Sequence, residues 1–138
     1  MTSKKIFLAA DVIVAFLDRN HPKHLHASAF FRYFAQEHFY LYTSGEIVIA
    51  VHQKISQSIG ASFAKEFLKV LQESTIVILT PEEQEIKKAI DTVVSSFSDL
   101  ELQEVLMLLM AEKRHIPYIC TFQYIHTLFG REAFYLPL

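Results

Sequence analysis

The sequence predicts a three-layer α/β/α domain built on a mainly parallel sheet of four or five strands. Two observations point there. Short β-branched or aromatic runs alternate with longer stretches of helical period, and strands separated by helices need crossover connections, which set them parallel. The 138 residues are 51% apolar with three glycines and four prolines, which predicts one compact domain over residues 1–138 without long flexible loops.

Taken in order, residues 6–8 (Ile-Phe-Leu) read as a short buried strand. Residues 12–17 follow as one or two helical turns, with Asp11 placed to cap them. Asn20-His21-Pro22 breaks that helix. Leu25, Ala29, Phe30, Tyr33 and Phe34 then recur near the helical period, so a second helix covers about 23–37. Residues 39–42 (Phe-Tyr-Leu-Tyr) are aromatic and β-prone. Thr43-Ser44 offers a cap for a helix over about 46–57, and Gly60 separates it from another over 61–73. Residues 75–79 (Thr-Ile-Val-Ile-Leu) form the clearest strand. Thr80-Pro81-Glu82-Glu83 reads as a helix start, with a cap, a proline in the first position and acids against the macrodipole, running to about residue 96. Ser98 or Asp99 caps a helix over 100–113. A fourth strand over 116–120, a short helix over 124–129 and an edge strand over 134–136 complete the order.

Charge and cysteine content exclude several classes. The net charge is −2, and Lys4-Lys5, Lys87-Lys88 and Lys113-Arg114 are scattered pairs expected on solvated faces, so no basic stripe announces nucleic acid. A lone Cys120 in an apolar run reads as a buried, inert thiol. Lys4-Lys5 precede a twelve-residue apolar stretch, but Asp11 interrupts it and no small-residue cleavage site follows. No segment has the roughly 18 continuous apolar residues of a membrane span. The expectation is a soluble, cytoplasmic protein without a membrane partner.

In parallel α/β sheets ligands gather beyond the carboxyl ends of the strands. The residues to inspect are therefore those near Asp11, Thr43 to Glu46, Thr80, and Thr121 to Gln123, with Asp99, Glu101 and Glu104 on the helix before the fourth strand. Carboxylates converging there would bind Mg²⁺ or Mn²⁺ and activate water for phosphodiester cleavage.

The same residues carry a family resemblance. IFLAADVIVAFLDRNHPKHLHASAFF resembles the opening of PIN domains, the fold of VapC-type ribonuclease toxins: an apolar strand, Asp-Thr-Asn/Ser, an apolar helical run, Asp, then a Pro-x-His helix start. YLYTSGEIVIAV is similar to the second block, a strand ending Thr-Ser before a helix. LELQEVLMLLMAEKRHIPYICTFQ is similar to the third, an acid opening a helix before a strand that ends Thr-x-Asp. The likeness spans nearly the whole chain in element order. It implies a PIN-like fold, a Mg²⁺- or Mn²⁺-dependent endoribonuclease ancestry and the toxin of a toxin–antitoxin pair, with a homodimer and an antitoxin partner.

In that register the catalytic Asp of the family falls on Ala9, and Asp11 takes the adjacent supporting position. The helix Glu falls near Ile49 or Ala50, with Glu46 about one turn earlier. Glu104, seventeen residues before Thr121, occupies an acidic position, and the final Asp falls on Gln123. One of four acidic positions is kept. The expected site therefore comprises Asp11 and Glu104 as the acids of any surviving catalysis or metal binding, with Ala9, Ser44, Glu46, Asp99, Thr121 and Gln123 around them.

Two functions compete at this stage. In the first, most catalytic acids are lost and the domain binds protein or RNA. In the second, Asp11 and Glu104 still hold one Mg²⁺ or Mn²⁺ in a shifted site and cut RNA. Asp11 and Glu104 also have ordinary roles as a cap and as a macrodipole partner. The histidines of NHPKHLH lack a Cys or acidic partner at ligand spacing, which favours a structural role. The run Phe30-Phe31-Arg32-Tyr33-Phe34 cannot be wholly internal, which predicts an apolar interface there.

Overall fold

The computed structural model describes residues 4–96, 99 and 101–123, and the backbone of 132–134. Five parallel strands form one sheet: β1 (Lys5–Leu8), β2 (Tyr40–Ser44), β3 (Val77–Leu79), β4 (Tyr118–Cys120) and β5 (Glu132–Phe134), in the spatial order β3-β2-β1-β4-β5. Among the described residues six helices connect them: α1 (Ala10–Leu17), α2 (His24–Gln36), α3 (Gly45–Ser58), α4 (Ala61–Glu73), α5 (Glu83–Ser95) and α6 (Leu102–Lys113). The architecture is the expected α/β sandwich. The helix expected over 124–129 lies outside the described residues, as do 135 and 136 of the strand expected over 134–136, while the last described strand covers 132–134.

The central strand β1 is apolar on both faces because helices cover both. Ile6, Phe7 and Leu8 are each at most 1% exposed, a burial worth roughly 2 kcal/mol per side chain. Register pairs Phe7 with Tyr42 on one side and with Ile119 on the other. The ends of β1 and β4 therefore lie side by side, and the Ala9 N–H donates to the Cys120 carbonyl at 3.1 Å. Burial pushes the Cys120 thiol well above its ordinary range, and the Asp11 charge adds to this, in keeping with an inert sulfur.

Helix α6 buries seven consecutive residues, Val105 to Ala111, because α5 covers its outer side. Helix α5 itself buries only Glu85 and Ala89. Two ion pairs hold it: Lys113 to Glu82, and a bidentate Arg114 to Glu85 at 2.8 and 3.1 Å. Lys113-Arg114 is thus no free solvated pair, a correction to the sequence reading. Burial pushes the Glu85 carboxyl up, but the bonds from Arg114 and the Glu82 N–H, with the charges of Arg114 and Lys113, hold it below the ordinary range.

The aromatic run on α2 is divided between core and surface, with Phe31 and Tyr33 half-buried and Arg32 exposed. Phe30 and Phe34 are buried, Phe31 packs on Phe16 at 4.4 Å, and Tyr33 packs on Phe39 at 5.8 Å. Aromatic partners from α1 and the α2–β2 turn cover what one helix could not. Exposed apolar side chains lie beside this run (Phe16, Leu25) and also on α4 (Leu68, Val70), β3 (Val77, Ile78) and α5 (Ile86, Ile90, Val94).

Helix ends differ from the cap predictions as well. Ala9 and not Asp11 is the N-cap of α1; α5 starts after Glu82, whose N–H donates to Glu85 at 2.9 Å; and α6 starts after Glu101. Helices α2 and α6 end on left-handed histidines, His38 (φ 57°) and His115 (φ 56°). The following N–H in each case returns to a carbonyl of the last turn, Phe39 to Phe34 and Ile116 to Ala111, both at 2.9 Å. His24 joins α2 to α1 through Nδ1 and the Ala15 carbonyl at 2.9 Å, and its Nε2 faces Ser28 Oγ at 3.5 Å, so its role is structural. No helix among the described residues is long and apolar enough to cross a membrane.

Candidate functional site

Beyond the adjacent ends of β1 and β4 lies an open cleft of about 180 Å³. The turn from β1 into α1 contributes Ala9, Ala10 and Asp11. Helix α3 contributes Ile47, the start of α6 contributes Glu101, Gln103, Glu104 and Met107, and the end of β4 contributes Thr121 and Gln123. The sheet order creates this cleft, because β4 inserts beside β1 and brings its C-terminal end against the first turn of α1.

Asp11 is the most connected polar side chain in it. Its Oδ1 accepts from the Val12 N–H at 2.8 Å. Its Oδ2 accepts from the Thr121 hydroxyl at 2.8 Å and from the Phe122 N–H at 3.0 Å. Thr121 Oγ1 in turn accepts from the Gln123 N–H at 3.2 Å. Asp11 therefore clasps the end of β4 to the start of α1, a role that sequence spacing alone did not suggest. Phe122 extends the clasp outward: its ring packs on Phe30 at 5.6 Å and lies 4.9 Å from Lys23 Nζ.

Across the cleft, burial raises the Glu104 carboxyl above its ordinary range, and the charges of Glu101 and Asp11 add to this. The lining holds three carboxylates and no basic side chain among the described residues, so the cleft repels a phosphodiester unless a cation intervenes.

Of the residues expected at the site, Ala9, Asp11, Glu104, Thr121 and Gln123 line this one cleft, whereas Ser44, Glu46 and Asp99 do not. Ser44 closes β2 and Glu46 stands in the first turn of α3; among the described residues, Ser44 Oγ and both Glu46 carboxylate oxygens are shielded from solvent without hydrogen-bond partners. Asp99 is exposed. The contribution of α3 to the cleft is the apolar Ile47, and Ile49 is 62% exposed. Gln103 and Met107 were not anticipated, although Met107 is one helical turn from Glu104 and the spacing would have found it.

The Mg²⁺ or Mn²⁺ that the sequence resemblance implies would need oxygen ligands with free lone pairs converging on one point. The residues present do not fit it. Among the described residues no three His, Cys, Asp or Glu side chains gather in a metal-holding group, and Asp11 Oδ2 already accepts two hydrogen bonds. Ala9, 7% exposed, presents a methyl group at the strand end.

No family model matches the sequence, and no curated protein matches it. Solved structures do match in fold. VapC20 of Mycobacterium tuberculosis, a sarcin-ricin-loop-cleaving toxin, superposes with a TM-score of 0.73 at 14% identity, over 83% of this chain and 86% of that one. VapBC2 of Rickettsia felis, bound to a DNA fragment from their promoter, superposes with a TM-score of 0.66 at 10% identity, over 86% and 88% of the two chains. The chain therefore has the VapC-like, PIN-type fold that its sequence motifs resemble. At these identities the likeness is one of fold.

Proposed function

We propose that this PIN-like domain acts by binding a protein partner, and that its cleft no longer cleaves RNA. One observation carries the reading: the Asp11 carboxylate accepts three hydrogen bonds as a clasp between α1 and β4. Beside it the strand end carries Ala9, and the β4 end carries the neutral Gln123. An acidic cleft without basic lining residues disfavours an RNA ligand there. Protein binding draws support from a mainly apolar groove, lined among others by Phe16, Phe31, Phe67, Val70 and Ile76, between α1, α2 and α4. An antitoxin-like partner accords with the VapBC2 neighbour. A homodimer accords with the exposed apolar side chains of α4, β3 and α5.

The opposing reading, a Mg²⁺- or Mn²⁺-dependent endoribonuclease using Asp11 and Glu104, rests on one specific observation. Glu101, Glu104 and Asp11 repel one another, and a divalent cation would relieve that repulsion. Calorimetric titration with Mn²⁺, combined with a cleavage assay on single-stranded RNA, decides between the two. The binding reading expects no saturable metal site and intact RNA. Cleavage that is abolished by Asp11→Ala or Glu104→Ala would overturn it.

A further inference from the structure

The outer edge of β3 is open: β3 stands last in the sheet, and no described strand lies beyond it. Adjacent strand residues point to opposite faces, and Val77 and Ile78 are 44% and 45% exposed, so both faces of this edge are uncovered as well. An edge of this kind offers a row of free N–H and C=O groups to another strand. Proteins usually blunt such an edge with a charge, a proline or a bulge. Residues 74–80 (Ser-Thr-Ile-Val-Ile-Leu-Thr) carry no charge, and Pro81 comes only after the strand. The strand is short, yet it is held extended at both ends. The Ile76 N–H donates to Ser74 Oγ at 3.2 Å, and the Thr80 carbonyl accepts from Arg114 Nη2, also at 3.2 Å. The three residues of β3 between them are therefore set for pairing before any partner arrives.

We propose that this edge receives a second copy of the chain: two β3 strands pair antiparallel about a two-fold axis at Ile78 and join two sheets into one. The inference rests on the protein-binding reading and names one surface for it. A strand pair of three residues buries far less than the roughly 800 Å² per partner of a stable interface. The occupant must therefore bring an apolar helix along with its strand, and this chain carries the two together. Ile78 opens into a shallow hollow with Val48 of α3 and Leu68 and Leu71 of α4, beside Lys65 and Lys69, and Leu68 is exposed. A two-fold axis that makes the strands antiparallel stands normal to the sheet. It keeps both α4 helices on one face and brings them together over the join. Helix α4 balances Lys65 and Lys69 with Glu66 and Glu73, so it has no net charge to repel its own copy. Between the strands, Ile78 meets Ile78 of the second copy and Val77 meets Leu79, apolar pairs of the kind that stabilise sheets.

The test is analytical sedimentation of the whole chain across the micromolar range, with Val77→Lys and, as a control at another exposed apolar side chain, Ile90→Lys. The parent is expected to be a dimer. Val77→Lys should raise its dissociation constant at least about a hundredfold, since each copy then sets a lysine on the join. Ile90→Lys should leave it within about twofold. Ile78→Cys with a short bis-maleimide gives a second reading that stands even where Val77→Lys fails to fold. Residue 78 lies on the two-fold axis, so this variant should cross-link to a dimer, while the parent, whose Cys120 is buried, should not. A monomeric parent, a dimer unmoved by folded Val77→Lys, or the absence of the cross-link overturns the proposal. Mn²⁺-dependent RNA cleavage would instead overturn the protein-binding reading, and the dimer measurements are independent of it.

Discussion

Thr121 donates its hydroxyl to Asp11 Oδ2 at 2.8 Å, joining residues 110 apart in sequence. With the Phe122 N–H on the same oxygen, this bond makes the residue beside the expected catalytic position a fastener of the fold.

Replacing Asp11 measures that fastening. Asp11→Ala leaves the Thr121 hydroxyl and the Phe122 N–H without their acceptor in a partly buried site. The expected loss is about 2 to 3 kcal/mol by urea unfolding. Asp11→Asn retains an acceptor oxygen and should cost about 1 kcal/mol. A loss below about 0.5 kcal/mol for the alanine variant would mean that the clasp carries nothing.

Glu104 sets a pH dependence of defined sign. Its folded pKa is raised, by burial first and then by Glu101 and Asp11. The folded state thus holds the proton more tightly than the unfolded chain. Stability should fall as pH rises from the ordinary carboxylate range toward the raised value. Glu104→Gln should flatten this part of the profile and raise Tm at neutral pH. A profile unchanged by the substitution contradicts the assignment.

Glu85 has the opposite sign. Its folded pKa is lowered, because bonds and charges from Arg114 and its neighbours outweigh burial. Its contribution is therefore present above the ordinary carboxylate range and lost as pH falls through the depressed value. Arg114→Met leaves Glu85 without its guanidinium and should cost about 3 kcal/mol at neutral pH. Melting curves taken between neutral and acid pH should show the difference from the parent chain shrinking as Glu85 takes up its proton.

Adding acids to the cleft tests the proposed loss of its catalytic carboxylates. Ala9→Asp with Gln123→Asp adds two carboxylates to a cleft that already holds Asp11, Glu101 and Glu104. Like-charge crowding should lower Tm in the absence of metal, and Mn²⁺ should raise it again in proportion to occupancy. The parent chain should show no such Mn²⁺-dependent rise. Chelation should return the double variant to its lower Tm.

The two left-handed histidines give a prediction free of the site. His38→Gly and His115→Gly remove a Cβ from positive φ. Each should stabilise by about 0.5 to 1 kcal/mol, since glycine takes this conformation at little cost. Destabilisation at either position would reveal a packing role for that imidazole.

The sequence by itself determined the alternation of strands and helices, the parallel sheet and the location of the cleft at the strand ends. These follow from local periodicity, which each segment carries within itself: Ile6-Phe7-Leu8 is a buried strand in any register. The chain's resemblance to PIN domains implies that Ala9 and Gln123 fall where that family carries acids. What the residues at the cleft do was decided only by the tertiary structure. Asp11 reads as a cap in its own segment, yet strand order sets it against Thr121 and Phe122, and the cap position passes to Ala9. Arg114 reads as half of an exposed basic pair until α5 lays Glu85 across it. Glu46 reads as an acid of the site, and the fold instead leaves it half-buried in the first turn of α3, outside the cleft lining. Hydrogen-bond partners are chosen by elements meeting in space, and no period within one segment records which elements will meet.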